Sequence, residues 1–430
     1  LRHALFVAFH YPPEASSSGV LRTLKYSRYL GESGWRVSVI TPELSAHAVC
    51  DPQLEKQIPS GTRVLRTRFV NTKRDISVRG IYPALLALPD VWIGWLPFAV
   101  AAGRRLSTTD PFDLVYSTSP PATAHLIARR LASITGKPCV ADFRDPWIED
   151  PPEPGTPNGP VFRTVNRSLE RRVVVRSDAV VTSTTHLRDM LRGRYPDEPT
   201  EKIRAILNGY DEADFPDRVA EPAPSGSRLR IVHAGSINAE FRDPCPLFEA
   251  FGRLVRADAM AAEDVEIRFI GGGPYGDSQQ VHEALAAAGL ARSVSFLPRV
   301  PYEESLRELS QADLLLLLQA SDDTVGLVPA KLYEYLRTQK PTLALVRTGA
   351  VTEVLAHTGG GWTADPADRA ALDAALAEVV REWRAKRLPQ HRADLAKLRR
   401  FDRRLLTAEL ARVFDSVCES RREVRGRVRG

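Results

Sequence analysis

Cysteine is scarce in this chain, and the few present form no pattern. Cys50, Cys139, Cys245 and Cys418 lie far apart, with no C-x-x-C pair. That argues against a zinc site or a disulfide framework and fits a reducing compartment. Long hydrophobic runs are missing too. The longest apolar region, 81–102, is broken by Pro89-Asp90 and by Pro97, so no transmembrane helix is predicted. There is no P-loop, no G-x-S-x-G and no H-E-x-x-H, which leaves kinase and hydrolase readings without support. No short internal repeat occurs. The chain starts at Leu1-Arg2-His3 directly before a strand-like run, and no signal peptide is visible there. Its first residue is Leu and not Met, which leaves room for residues upstream.

What is present is a globular composition in a chain too long for one core. The 430 residues are 43% hydrophobic and 26% charged, which predicts two domains. The formal charge of +6 suggests anionic partners such as nucleotides, phospholipid or nucleic acid. Strand-like runs at 3–9, 36–40, 113–116, 137–142, 179–182 and 202–206 are separated by helical patterns, among them 20–32, 122–134 and 161–175. Such alternation implies a parallel sheet covered on both faces. The polar, Pro-rich stretch 216–227 reads as a linker, and beyond it the alternation restarts. The predicted domains are therefore 1–215 and 228–399, each doubly wound and Rossmann-like, with ligands at the carboxyl ends of strands in a cleft between them. A helix spans 401–417, and a basic tail runs over 420–430.

The second domain is organised around 326–341, G-L-V-P-A-K-L-Y-E-Y-L-R-T-Q-K-P, between the apolar runs 314–318 and 342–345. This predicts strand, loop, helix and strand, with Pro329 in the first helical turn. Backbone N–H groups and dipole charge at the helix entrance favour a phosphate. Lys331 adds a cation there, and Glu334 can accept hydrogen bonds from sugar hydroxyls.

Several motifs in order resemble the family 4 glycosyltransferases of the GT-B fold. They are His10-Tyr11-Pro12-Pro13 with Ser18-Gly19 and Arg22, then Asp178-Ala179-Val180-Val181, and Asn208-Gly209-Tyr210-Asp211 with Phe215. His233-Ala234-Gly235-Ser236, Ile270-Gly271-Gly272-Gly273-Pro274, Phe296-Leu297-Pro298 and Lys331-Leu332-Tyr333-Glu334-Tyr335 follow. The resemblance implies two Rossmann-like domains facing a cleft, the final helix 400–420 completing the first. It implies retaining transfer of a sugar from a nucleotide-sugar, with a UDP-sugar expected, and no further cofactor or metal. Donor contacts would come from Gly235, Ser236, Arg242, Lys331, Glu334, Gly273 and Pro298, and the acceptor side from His10, Ser18 and Gly19. The implied setting is bacterial polysaccharide or glycolipid assembly, cytoplasmic or peripheral at the inner face of the membrane, with a sugar, small-molecule or lipid-linked acceptor. Most members carry two glutamates separated by seven residues; the first falls here at Gly326, and a K-x-x-E-Y branch is the nearest pattern. A nucleotide-sugar epimerase of the same fold and a silent sugar-nucleotide-binding protein are the alternatives.

The chemistry has its own logic. Breaking a sugar–diphosphate bond puts negative charge on the leaving diphosphate, so donors and cations are needed there; Gly235, Ser236, Arg242 and Lys331 suit that task. In the first domain, Asp142-Phe143-Arg144-Asp145-Pro146 ends a buried strand. Asp142, Arg144 and Asp145 form the candidate catalytic group, Asp145 being the expected acceptor base and an Asp–Arg–Asp network the structural alternative. Gly271, Gly273 and Gly276 satisfy G-x-G-x-x-G, but Pro274 delays the helix and no acidic ribose ligand follows the next strand, which disfavours a nicotinamide cofactor. Asp322-Asp323 is read as a solvated pair and not a metal site. The arginine-rich tail with Trp92, Trp95 and Phe98 suggests contact with anionic membrane. Nucleic acid is not expected, since no aromatic residues interleave with the tail arginines.

Overall fold

The computed structural model describes residues 1–17, 19–77, 84–148, 159–215 and 228–429. Ser18, the predicted linker 216–227 and most of the Pro-rich loop before Pro160 lie outside them. The chain divides into two compact units, Leu1–Asn208 with Arg403–Gly430, and Gly209–Asp402. Residues 209–215, read from the sequence with the first domain, belong to the second unit. There Tyr210 donates its N–H to Phe401 O at 3.1 Å, and Glu212 pairs with Arg337.

The first unit holds β1 (Arg2–Ala8), β2 (Trp35–Pro42), β3 (Arg63–Thr67), β4 (Leu114–Ser119), β5 (Cys139–Phe143), β6 (Ala179–Thr182) and β7 (Ile203–Ala205). They form one parallel sheet in the order β3-β2-β1-β4-β5-β6-β7. Its inner strands are buried on both faces, as a parallel sheet with helices on each side requires. The order reverses between β1 and β4, so the loops leaving these strands part and open a crevice at the carboxyl edge. The helix Arg403–Arg429 closes one face. Phe414 lies 5.3 Å from Trp35 and 5.8 Å from Tyr116, ring centre to ring centre.

The second unit holds β8 (Leu229–Ala234), β9 (Val265–Ile270), β10 (Val294–Leu297), β11 (Leu314–Gln319), β12 (Thr342–Val346) and β13 (Gly361–Ala364). The order β10-β9-β8-β11-β12-β13 is again parallel, and it reverses between β8 and β11. The all-leucine start of β11 is buried throughout.

Some elements escape the sequence pattern. β3 is an edge strand whose two arginines blur its apolar run, and β13 is only four residues long. The helix Leu96–Thr109 begins at the very proline that seemed to break it, because Pro97 occupies the first turn, where no N–H is needed. Of the aromatic residues there, Trp95 belongs to the core, Trp92 is half-buried and Phe98 is exposed. Trp95 is fully buried and donates its indole N–H to Thr67 Oγ1 at 2.7 Å. Trp92 packs on Phe9 with ring centres 4.5 Å apart. The predicted basic tail continues the last helix to Arg429, and Arg421 is paired with Asp178.

Candidate active site

In the second unit, the turn after β8 and the helix Ala330–Arg337 meet. Gly235 has φ +111°, and a Cβ at that residue would stand 2.6 Å from Lys331 Nζ. Only glycine satisfies both the backbone and the space. Lys331 donates to Ala234 O at 2.6 Å, while Tyr335 OH accepts the Ala234 N–H at 2.8 Å. The helix thus holds the turn at two adjacent backbone atoms. Pro329, expected inside the first turn, sits one residue earlier, and no side chain caps the helix entrance.

The glycine turn is tied down on its other side as well. Gly235 N–H goes to Ile270 O at 2.8 Å and Ile237 N–H to Gly272 O at 2.9 Å. The Gly235 N–H, expected to face a phosphate, is therefore spent within the fold, and that expectation is corrected. Gly235 serves by its shape. Arg242 reaches Ser236 Oγ at 3.0 Å and lies 4.9 Å from the Phe241 ring centre. Asn238 Oδ1 fixes this loop by accepting the N–H groups of Phe241 at 3.0 Å and Arg242 at 3.2 Å.

Two cations thus stand against one turn. Burial, and then the repulsion of Arg242, push the Lys331 ammonium down to about 7, while Glu334 pulls the other way. Glu334 is buried on the inner side of the helix, and its Oε1 accepts the Tyr302 hydroxyl at 3.0 Å. That hydroxyl also lies 3.2 Å from Asp214 Oδ2. Gly273, at φ +77°, and exposed Pro298 stand just past β9 and β10 on the same carboxyl edge. Gly326 is buried. Asp322 forms an exposed pair with Arg347, the arrangement expected of a solvated carboxylate.

The first unit separates the two aspartates that the sequence grouped. Asp142 is fully buried and binds Arg22 through two bonds of 2.9 Å. Tyr116 OH at 2.5 Å and Thr118 Oγ1 at 3.2 Å complete its shell. A fully buried carboxylate with four donors around it, two of them from one guanidinium, holds structure. The Asp–Arg–Asp network that stood as the structural alternative does not form among the described residues. Arg144 instead donates to Ser119 O at 2.7 Å and Pro120 O at 3.0 Å. Its guanidinium also fills the space over Gly19, where a Cβ would overlap it. Asp142 and Arg144 are thereby moved from the catalytic group to the framework.

Asp145 differs. Its side chain is exposed and makes no hydrogen bond or ion pair among the described residues. His10, two residues past β1, is held through Nδ1 by Glu14 Oε2 at 3.1 Å. Burial would raise the Glu14 carboxyl, but the hydrogen bond from His10 and the donors of Ser16 carry it below the usual range. Burial lowers His10 itself. Glu14, Asn238 and Tyr302 are positioning residues that the sequence did not single out, while Arg22 and Tyr335 stood in the quoted motifs without a role. The four-residue spacings His10–Glu14 and Asn238–Arg242 were the only available signals.

Residues 19–209 match the model of the glycosyl transferase 4-like domain, and 228–382 that of the glycosyl transferases group 1 domain. Between them these matches span most of the chain. The chain is built of two glycosyltransferase domains. No curated protein sequence matches it. Among solved structures, the glycosyltransferase is similar to the α,α-trehalose 6-phosphate synthase from Burkholderia multivorans, with TM-score 0.66 and 14% identity over 99% of this chain and 98% of that one. It is similar to the sucrose-phosphate synthase from Thermosynechococcus elongatus, with TM-score 0.64 and 13% identity over 98% and 100%. It also resembles the lipopolysaccharide outer core galactosyltransferase WaaB, with TM-score 0.59 and 13% identity over 96% and 99%. At such identities the likeness concerns the fold. Every residue that the sequence predicts for the donor side falls inside the second matched domain, and Asp145 inside the first.

Proposed function

We propose that this glycosyltransferase is a retaining, metal-independent enzyme that moves a sugar from a nucleotide-sugar, a UDP-sugar first among the candidates. Its acceptor would be a glycan, a lipid-linked sugar or a small molecule in bacterial cell-surface polysaccharide or glycolipid assembly. The observation that carries the reading is the convergence of Arg242 and Lys331 on the Gly235 turn. Two cations held against a turn, with no carboxylate in ion-pair contact among the described residues, suit a diphosphate, whose developing charge they would neutralise without a metal. Ser236 would contribute its hydroxyl beside Arg242. Glu334, oriented by Tyr302, would hold the ribose and position the reacting carbon without entering the bond change. Gly273 and Pro298 would flank the nucleotide. On the other unit His10, Ser18 and Gly19 would line the acceptor side, and Asp145 would take the acceptor proton.

Purified protein is tested first by thermal shift with UDP, GDP and dTDP, since a ligand of the native state raises the melting temperature. Consumption of the matching donor with acceptor, in the presence of EDTA, tests the transfer. Loss of all activity in EDTA, with recovery on adding manganese, sinks the metal-free arrangement. Donor consumption without acceptor would favour an epimerase, and no consumption a silent binder.

The Lys331 ammonium gives a pH signature. A bound diphosphate favours the charged form, so nucleotide affinity is expected to weaken as pH rises through about 7. Lys331→Met should bind more weakly and with a flat profile over the same range, measured by calorimetry. Arg242→Ala should lower turnover by about 2–4 kcal/mol of transition-state stabilisation. An unchanged profile in the lysine variant removes Lys331 from the phosphate site.

Glu334→Gln is expected to raise the donor KM or reduce turnover with little change in melting temperature. Tyr302→Phe should do the same more weakly, because it removes one hydrogen bond to Glu334 and keeps the carboxylate. Wild-type kinetics for Glu334→Gln with every candidate donor would exclude the ribose role.

A further inference from the structure

The helices Leu96–Thr109, Thr123–Thr135 and Pro160–Arg176 follow one another across one face of the first sheet. Between them they carry nine arginines and a single acidic residue, Glu170. Glu170 is turned inward, where it accepts Arg194 Nη1 and Tyr195 OH, each at 2.6 Å. It therefore cannot offset the outer charge. Arg104, Arg105, Arg130, Arg167, Arg171, Arg172 and Arg176 are exposed, and none has an acidic partner among the described residues. Burial and then the charges of Arg176 and Arg172 depress the neighbouring Arg129.

Folding stability does not account for this field. Arg167 with Arg171, and Arg172 with Arg176, stand four residues apart on one helix, a spacing at which like charges repel. The same outer surface also shows apolar tips. Val161 is 65% exposed, Val175 39% and Ile134 39%. The helix Pro160–Arg176 thus presents arginines between two exposed valines. Cations that reach phosphates, with short aliphatic side chains between them, match a layer of anionic headgroups over an apolar interior. Single-stranded nucleic acid would call for flat stacking side chains, and this stretch of helix exposes none; a duplex would gain nothing from the exposed aliphatic tips.

We propose that the arginine face formed by the helices Thr123–Thr135 and Pro160–Arg176 docks the enzyme on a bilayer rich in anionic phospholipid. This differs from docking by the C-terminal tail and the tryptophans, which the sequence suggested. It rests on the proposed function only in giving the enzyme a lipid-linked acceptor to meet. Binding is measured without donor or acceptor, so its failure and the failure of the catalytic reading are separable.

The test is sedimentation of the full chain with phosphatidylcholine vesicles, with and without phosphatidylglycerol, at low and high salt. Binding is expected only with phosphatidylglycerol, and salt should release it. Each charge removed should weaken partition on the order of fivefold. The R171E/R172E/R176E variant should therefore stay in solution while keeping its activity on a water-soluble acceptor. Removal of 424–430 should leave most of the binding. If the triple variant does not fold, Arg167→Gln with Arg130→Gln reads the same effect at smaller size. Undiminished binding by these variants, or no binding of the wild type at low salt, overturns the proposal. Retention of an RNA duplex in preference to vesicles overturns it in favour of a nucleic-acid partner.

Discussion

Replacing Asp142 by alanine is expected to cost about 3–5 kcal/mol of stability, the penalty for leaving a buried charge without its partner. The stranded charge is Arg22, only 1% exposed. Arg22 also donates to Ile206 O at 2.8 Å and Leu207 O at 2.9 Å, so its displacement would loosen the last strand of the first sheet as well. The pair has a pH signature whose sign is fixed. Burial would raise the Asp142 carboxyl, but the charge and hydrogen bonds of Arg22, then Tyr116, carry it below its ordinary value of 3.8. The unfolded chain therefore binds the proton first as pH falls. Stability from this group is complete above about pH 4 and is lost as pH drops through the lower folded value. Chemical denaturation of wild type and Asp142→Asn between pH 3 and 7 checks this: their difference should shrink toward the acid end. A constant difference, or none, would contradict the framework role.

The second large effect concerns Asp145. Asp145→Asn is expected to reduce transfer by about 10²–10⁴-fold, the range for loss of a positioned general base. Nucleotide binding should stay near wild type, because Arg242 and Lys331, the cations proposed to hold the diphosphate, lie on the other unit. The variant should also fold normally, since the side chain is exposed and unbonded among the described residues. A base must be ionised to accept the proton, so the wild-type rate should fall on the acid side as Asp145 protonates. The aspartate-dependent limb should vanish in the variant. Transfer at the wild-type rate would place the acceptor base elsewhere. His10, held by Glu14, would then be the first group to substitute.

These two aspartates also mark what could be read from sequence. Both end the same strand, and spacing alone could not separate them. The partner that makes Asp142 structural, Arg22, is far away in the chain and becomes visible only once β1 and β4 stand between their loops. On the donor side more was legible. A helix signal after an all-leucine strand, with a lysine and a glutamate on adjacent turns, and a glycine after a buried strand are local patterns. Their local geometry survives folding. What escaped was hydrogen-bond accounting. The Gly235 N–H, read as a ligand donor, is consumed by Ile270 O, a contact between strands that no local pattern encodes. The fold was read well where strands are buried and uninterrupted. It was missed where an edge strand mixes arginine with valine, as in β3, and where Pro97 starts a helix instead of ending one.

The helix Arg403–Arg429 completes the first unit although the whole of the second unit, Gly209–Asp402, precedes it in the chain. Phe414 fills the space among Trp35, Phe6 and Tyr116, and Trp35 gives its indole N–H to Asp415 at 2.9 Å. During synthesis, then, the first sheet emerges from the ribosome with one apolar face bare. It must wait for the second unit to be translated before that face is covered. The second unit meets no such delay, since its strands and helices are contiguous. Order of synthesis and order of completion are reversed in this protein. A nascent chain stalled before Arg403 would carry a finished donor-side unit and an unfinished partner, a state in which chaperones rather than native contacts must shield the exposed aromatic surface.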